Sequence, residues 1–164
     1  MLNGLKTPPR EPFFLYLHLI GPHDPYAPPP EARSFLSGEL TRSAARFCKD
    51  RLSGDDVTSN TLAAMRHGLV PVDAETLAQM TALYDGEIAF SDAQIARILA
   101  AFEQAHVAER TIFIVTSDHG EEFREHGGLG HGRSQYRELL HAPLVVAGRH
   151  RPPASPPIRC GSSM

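Results

Sequence analysis

The stretch T-I-F-I-V-T-S-D-H-G, residues 111–120, decides the fold of this chain. Its first seven residues form a short apolar run rich in β-branched side chains, which is typical of a buried strand. Asp118, His119 and Gly120 follow this run directly. Open α/β sheets carry their binding sites at the carboxyl ends of strands. The stretch therefore predicts a strand with a site at its end.

A long helical pattern precedes this strand, over residues 73–106. Asp73 is a residue type that caps helices, and apolar side chains recur at steps of three and four from Leu77 to Phe102. Gly86 interrupts the pattern at a cost of about 1 kcal/mol relative to alanine. A close packing contact or a local break would explain it. The pattern predicts one amphipathic helix.

Two further apolar runs predict buried strands, PFFLYLHLI at residues 12–20 and PLVVA at residues 143–147. Residues 31–72 are polar and aperiodic, which indicates a surface excursion with short helices. Residues 121–133 predict a loop rich in glycine and histidine, and residues 134–140 a short helix. The order strand, long helix, strand, short helix, strand predicts an α/β fold with a central sheet flanked by helices.

Composition limits the classes of protein to which the chain can belong. A net charge of −3 and the absence of a basic run exclude a nucleic-acid footprint. The sequence contains no signal-peptide pattern and no apolar stretch of about 18 residues, so it predicts no membrane segment. Cys48 and Cys160 lack the spacing of metal ligands and are interpreted as incidental. We predict one domain over residues 1–148 and a disordered, proline-rich tail over residues 149–164.

Histidines beside turns are the candidates for chemistry. Asp118 and His119 can together ligate a divalent cation, but Asp118 could equally cap a helix while His119 makes a hydrogen bond. His23 begins a loop with five prolines in residues 21–30, which is rigid enough to hold a side chain in place. His126 is either functional or solvent-exposed. His18, within an apolar run, is expected to be a hydrogen-bonded core histidine.

Several separated blocks of sequence resemble one family. The blocks are P-H-D-P-Y-A-P-P at residues 22–29, L-Y-D-G-E at 83–87, S-D-H-G-E-E at 117–122 and G-H-G-R-S at 130–134. In this order they closely resemble the sulfatase family of the alkaline phosphatase superfamily, from about residue 12 to residue 148. The resemblance implies a partial alkaline-phosphatase-like sulfatase domain and metal-dependent hydrolysis of a small-molecule or glycan sulfate ester.

The resemblance also implies roles for individual residues. His23 matches the histidine that contacts the sulfate ester and assists proton transfer at the leaving oxygen. His131 falls where family members carry a sulfate-binding lysine or histidine. Asp118 and His119 match a pair of metal ligands, and the cation is usually calcium, with manganese or zinc in relatives. Three further residues match family patterns and are expected to fix loops and helix packing: Asp24, Tyr84 and Glu87.

Two family motifs are not found within these 164 residues. One is an apolar strand ending in Asp-Asp, and the other is C-x-P-x-R, whose cysteine becomes the formylglycine nucleophile. Asp55 and Asp56 lie in a polar loop, and Cys48 is followed by Lys-Asp-Arg, so neither replaces these motifs. We expect a sulfatase domain fragment that is inactive alone and would need a separately encoded N-terminal portion. The alternatives are a non-catalytic fragment that binds a cation weakly and a phosphoryl-transfer member of the superfamily.

Overall fold

The structure, a computed structural model, describes residues 12–49 and 61–148. Within these ranges the α-helices are α1 (Arg42–Lys49), α2 (Thr61–Arg66), α3 (Ala74–Gln104) and α4 (Arg137–Leu140). The strands are β1 (Phe113–Thr116), β2 (Glu122–Phe123), β3 (Leu129–Gly130) and β4 (Leu144–Ala147). Short 3₁₀ turns occupy Pro30–Ala32 and Ala108–Arg110. Cys160, the Asp55-Asp56 pair and the predicted disordered tail lie outside the described residues.

The long helix α3 confirms the prediction for residues 73–106 to within two residues at each end. Asp73 caps its start, since the side chain accepts a hydrogen bond from the Thr76 amide at 2.8 Å. This bond holds the pKa of the Asp73 carboxyl below its usual range. Just beyond the helix, His106 has a φ of 56°, the left-handed conformation that commonly terminates helices. No helix in the described ranges is long and apolar enough to cross a membrane.

Gly86 marks a close packing contact within α3, which continues through it without a break. A Cβ atom at this position would lie 2.5 Å from the carbonyl oxygen of Ala32 and 2.8 Å from Cγ of Pro28. Both distances are shorter than van der Waals contact. Glycine therefore allows the proline-rich loop to lie directly on the helix.

The core is built around Tyr26, which is almost fully buried. Its ring packs edge-on against Phe47 and Tyr84, with centroids 5.1 Å and 5.3 Å away. Other buried members come from α2 and α3: Leu62, Ala64, Met65, Met80 and Leu83. The short helices predicted within residues 31–72 are confirmed by α1 and α2, but the prediction of a surface excursion is wrong for the described residues 31–49 and 61–72, which contribute to the core. Helices of one or two turns bury too few side chains for a helical period to be visible in the sequence.

The described strands form two small antiparallel sheets. In one, Phe113 of β1 lies opposite Ala147 of β4, and in the other, Glu122 of β2 lies opposite Gly130 of β3. The glycine- and histidine-rich loop is thus partly a hairpin. Helices and strands together agree with an α/β fold, whereas the central sheet stays a prediction.

All three predictions of buried strands are wrong in part or whole. β1 is a strand as predicted, but its side chains alternate between half-buried and exposed, with 65% of Ile114 accessible to solvent. β4 is a strand as predicted, but it is exposed, with 68% of Leu144 accessible to solvent. Residues 12–20 form no strand, and Phe14 is 90% exposed. A strand needs a neighbour to accept its backbone hydrogen bonds, and no other described segment pairs with residues 12–20.

Candidate functional site

Three of the predicted site residues, His23, His119 and His131, form one cluster. The ring centroid of His131 lies 5.2 Å from that of His23 and 4.2 Å from that of His119. Asp118 adjoins the cluster, since its Oδ2 lies 3.8 Å from Nε2 of His119. All four predicted site residues are therefore brought together from separate parts of the chain.

His131 is held in place from two sides. Its Nδ1 lies 3.0 Å from Oε1 of Glu121. On the backbone side, the Arg66 guanidinium of α2 donates to the carbonyl oxygens of Leu129 and His131, at 2.5 Å and 3.3 Å. A Cβ at Gly130 would overlap this guanidinium, so glycine is needed for the close approach. Helix α2 thus fixes the hairpin that presents His131.

Glu121 is a site residue that the sequence did not reveal. Its side chain is only 3% exposed, and its second oxygen accepts a hydrogen bond from the Tyr26 hydroxyl at 2.6 Å. Burial, and then the charge of this carboxylate, raises the pKa of Tyr26 far above its usual range. A carboxylate bonded to a histidine nitrogen orients the ring and favours one tautomer. Local sequence could not show this, because burial of Glu121 depends on Tyr26.

His23 lies in a loop attached to α3. Its Nδ1 is 3.3 Å from Oδ1 of Asp24 and 2.8 Å from the carbonyl oxygen of the same residue. Two hydrogen bonds attach this loop to α3. The Ala27 amide donates to Glu87 at 3.1 Å, and Ser91 donates to the carbonyl oxygen of Gly21 at 3.2 Å. Glu87 and Tyr84 therefore fix the loop and the core, as expected. Asp24 does more, because it contacts His23 directly.

Asp118 and His119 present an accessible carboxylate beside an imidazole. Asp118 caps no helix in the described ranges, so that alternative is wrong, whereas His119 does have a hydrogen-bond partner in the Gly120 carbonyl, at 2.8 Å. The pKa of Asp118 is lowered, first by its own backbone amide and, more weakly, by His119 and His18. The carboxylate is therefore held in its charged form.

Several oxygen and nitrogen atoms near the cluster are candidate ligands for a divalent cation. Asp118 and His119 offer one oxygen and one nitrogen that are close enough to reach the same ion. A second group, His23, Asp24 and His131, has ligand atoms within 4.8 Å of one another. Metal sites in proteins usually have four or more ligands. The Asp118–His119 pair thus fits such an ion but supplies only part of a coordination shell.

The two other candidate histidines, His126 and His18, differ in their surroundings. His126 is partly exposed, and its Nδ1 lies 2.6 Å from Oε1 of Glu138 while its ring stacks on Tyr136. His18 is hydrogen-bonded to the Tyr16 hydroxyl at 3.1 Å but is exposed. The prediction of a core position for His18 is wrong, because its side chain is exposed.

Comparison with known proteins assigns the family. The sulfatase family model matches residues 1–159. Among curated proteins, the chain is 30% identical to arylsulfatase K of Bos taurus over 84% of its length, and 28% identical to iduronate 2-sulfatase of Homo sapiens over 91%. It is also 26% identical to the multifunctional alkaline phosphatase superfamily protein PehA of Trinickia caryophylli over 92% of its length. No solved structure gives a significant match.

These matches place the chain within the alkaline phosphatase superfamily. Within that superfamily, the chain belongs to the sulfatase family. It spans 27% of the bovine arylsulfatase K, 29% of the human iduronate 2-sulfatase and 32% of PehA.

Proposed function

We propose that this chain supplies part of the active site of a sulfate-ester hydrolase that acts on a small-molecule or glycan sulfate ester. The observation that carries the proposal is the convergence of His23, His119 and His131, with Asp118 beside them. Membership of the sulfatase family supports the reaction class. The names of two relatives, arylsulfatase K and iduronate 2-sulfatase, agree with it.

His23 and His131 are the groups proposed to contact the ester. Imidazole N–H groups can donate hydrogen bonds to the sulfate oxygens and stabilise the charge that develops there. Glu121 accepts a hydrogen bond from Nδ1 of His131, so Nε2 can donate to the ester when the ring is in its imidazolium form, in which both nitrogens are donors. His23 is proposed to give a proton to the leaving oxygen, a task for which histidine suits neutral pH.

Asp118 and His119 are proposed to hold a divalent cation together with ligands from outside these residues. Oxygen ligands suit calcium, and the imidazole nitrogen also suits manganese or zinc. When bound, such a cation would supply positive charge next to the sulfate. The residues of this chain would orient that cation relative to the two ester-binding histidines.

The nucleophile is proposed to be a formylglycine outside these 164 residues, because its C-x-P-x-R motif is not among them. The isolated chain is then expected to be inactive. The similarity to PehA favours phosphoryl transfer as a second candidate reaction, for which a serine or threonine would replace formylglycine. A non-catalytic fragment that binds a cation weakly is the remaining alternative.

Calorimetric titration of the chain with calcium, manganese and zinc chloride tests the cation site. We expect weak binding by the wild type, and a loss of about tenfold in affinity in Asp118→Asn, because a charged oxygen ligand is removed. Asp92→Asn is the matched control, since Asp92 is exposed on α3. Equal affinities of the two variants would refute the metal assignment.

Activity is tested by co-expression with a polypeptide that carries Asp-Asp and C-x-P-x-R. We expect hydrolysis of 4-nitrophenyl sulfate in preference to 4-nitrophenyl phosphate, and none by the chain alone. His23→Ala and His131→Ala should each lower the rate by at least about a hundredfold, as expected for removal of a general acid or of an oxyanion donor. A preference for the phosphate would replace the proposal with the phosphoryl-transfer alternative.

A further inference from the structure

A cleft of about 210 Å³ lies beside the β2–β3 hairpin. Three arginines line it, Arg66, Arg124 and Arg133, together with Ser134 and the backbone of the glycines at 127, 128 and 130. None of these residues is among the four predicted site residues. The cleft adjoins the histidine cluster, because Arg66 also donates to the carbonyl oxygen of His131 at 3.3 Å.

Three guanidiniums and one carboxylate, that of Glu122, line this cleft. The carboxylates of Asp24 and Glu121 are also near enough for their charge to act on Arg66. The oxygens of Glu122 already accept hydrogen bonds from the Gly128 amide and the Ser134 hydroxyl, at 2.7 Å and 2.8 Å. In the described ranges, no carboxylate lies within ion-pair distance of Arg66, Arg124 or Arg133.

The three guanidiniums differ in how deeply they are buried and in how firmly hydrogen bonds hold them. Arg66 is half-buried and is fixed by two backbone carbonyls, so its charge has a set position. Burial, and then the nearby charge of Arg133, lowers the pKa of Arg66. Arg124 and Arg133 are exposed and can move toward a ligand. Guanidinium groups match the geometry of carboxylate, sulfate and phosphate oxygens and bind them strongly.

We propose that this cleft binds a second anionic group of the substrate, so that the preferred ester carries a further sulfate or carboxylate beside the sulfate being hydrolysed. The inference rests on the proposed function, because it takes the histidine cluster as the place of the reacting ester. Arg133 lies two residues after His131 on the same turn. One ligand could therefore contact both the cluster and the cleft.

Amide NMR titration of the full chain with sodium sulfate and with sodium acetate tests the cleft, with sodium chloride at equal ionic strength as the blank. The amides of Gly128 and Ser134 report on the cleft, and those of Asp24 and Gly132 on the histidine cluster. We expect Arg133→Ala and Arg124→Ala each to weaken the cleft response by about tenfold, as expected for one hydrogen bond to a charged group. Acetate and sulfate distinguish a carboxylate site from a sulfate site.

Arg137→Ala is the matched control, because Arg137 is exposed on α4 and does not line the cleft. Circular dichroism of every variant verifies its fold. Equal binding by Arg133→Ala, Arg124→Ala and Arg137→Ala would overturn the proposal, as would silent amides at Gly128 and Ser134.

His23→Ala separates this proposal from the proposed function. We expect this variant to lose the response at the histidine cluster and to keep the response at the cleft. A wild-type response at the cluster alone would overturn the cleft and leave the sulfatase assignment in place. A response at the cleft alone would overturn the ester site, and with it the assignment of the anion to the substrate.

Discussion

The hydroxyl of Tyr26 donates a hydrogen bond of 2.6 Å to the buried carboxylate of Glu121. Tyr26 is the centre of the aromatic core, and Glu121 contacts His131 with its other oxygen. The packing of the core and the position of a proposed ester-binding histidine therefore depend on the same carboxylate. A change at Tyr26 should affect both stability and the site.

Tyr26→Phe tests this connection. The substitution keeps the ring but leaves a buried carboxylate oxygen without its donor, so we expect a loss of roughly 1–3 kcal/mol in the free energy of unfolding. Urea denaturation followed by circular dichroism measures it. Tyr16→Phe is the control, since Tyr16 is largely exposed. An equal, small effect in both variants would show that the Tyr26–Glu121 bond contributes little.

The raised pKa of Tyr26 predicts that the stability of the protein falls at alkaline pH. Burial, then the Glu121 carboxylate, raises its pKa in the folded protein. A tyrosine in the unfolded chain ionises near pH 10, so the loss of stability should begin at about that pH. Above this pH the unfolded chain binds fewer protons than the folded chain, and stability decreases as pH rises. Denaturation between pH 8 and pH 11 should show a steeper decline for the wild type than for Tyr26→Phe.

Gly86→Ala should lower stability even though alanine favours helices. The added methyl group would meet the Ala32 carbonyl and Pro28, and displacing them should cost about 1–3 kcal/mol, as for overpacked cores. Ala93→Gly, at an exposed position of the same helix, should lose about 1 kcal/mol through propensity alone. Thermal unfolding measures both variants. Stabilisation by Gly86→Ala would contradict the packing contact.

Ser134→Ala should lower stability at neutral pH and reduce the part of stability that is lost on acidification. The Ser134 hydroxyl, followed by the Gly128 amide, lowers the pKa of the Glu122 carboxyl. A lowered carboxyl pKa contributes stability above the unfolded value of about 4.3 and loses it as pH falls. The variant should therefore unfold at a higher pH in an acid titration followed by circular dichroism.

Ser91→Ala is the control for that titration, because its hydroxyl donates to the uncharged carbonyl of Gly21. Its effect should be similar at neutral and acidic pH. The Ser134→Ala effect should be larger at pH 7 than at pH 3. A pH-independent effect of Ser134→Ala would argue against its contribution through Glu122.

How much of this structure can be predicted from the sequence depends on how far apart along the chain the interacting residues lie. Helix α3 was predictable because its 31 residues contain many turns of one apolar period. The strand run before Asp118 and the pairing of Asp118 with His119 are also local features. By contrast, Glu121 acquires its role from Tyr26, 95 positions earlier in the chain. No local pattern shows that contact.

The same distinction explains the errors in burial. Residues 12–20 and 143–147 have the composition of interior strands, and β4 does form. The composition of a segment shows that it could be buried, but whether it is buried depends on the segments that pack against it. The histidine cluster was predicted from family resemblance, whereas its geometry, with His131 between Glu121 and the other two rings, required the fold.

The exposed apolar side chains of β1, β4 and residues 12–20 have a consequence for handling this polypeptide. Ile114, Leu144 and Phe14 present a hydrophobic surface beside strand edges, the combination through which chains join other chains. We expect concentration-dependent self-association, which light scattering would detect. In a cell such a surface recruits chaperones, so the abundance of the protein would depend on how quickly complementary β-strands cover it.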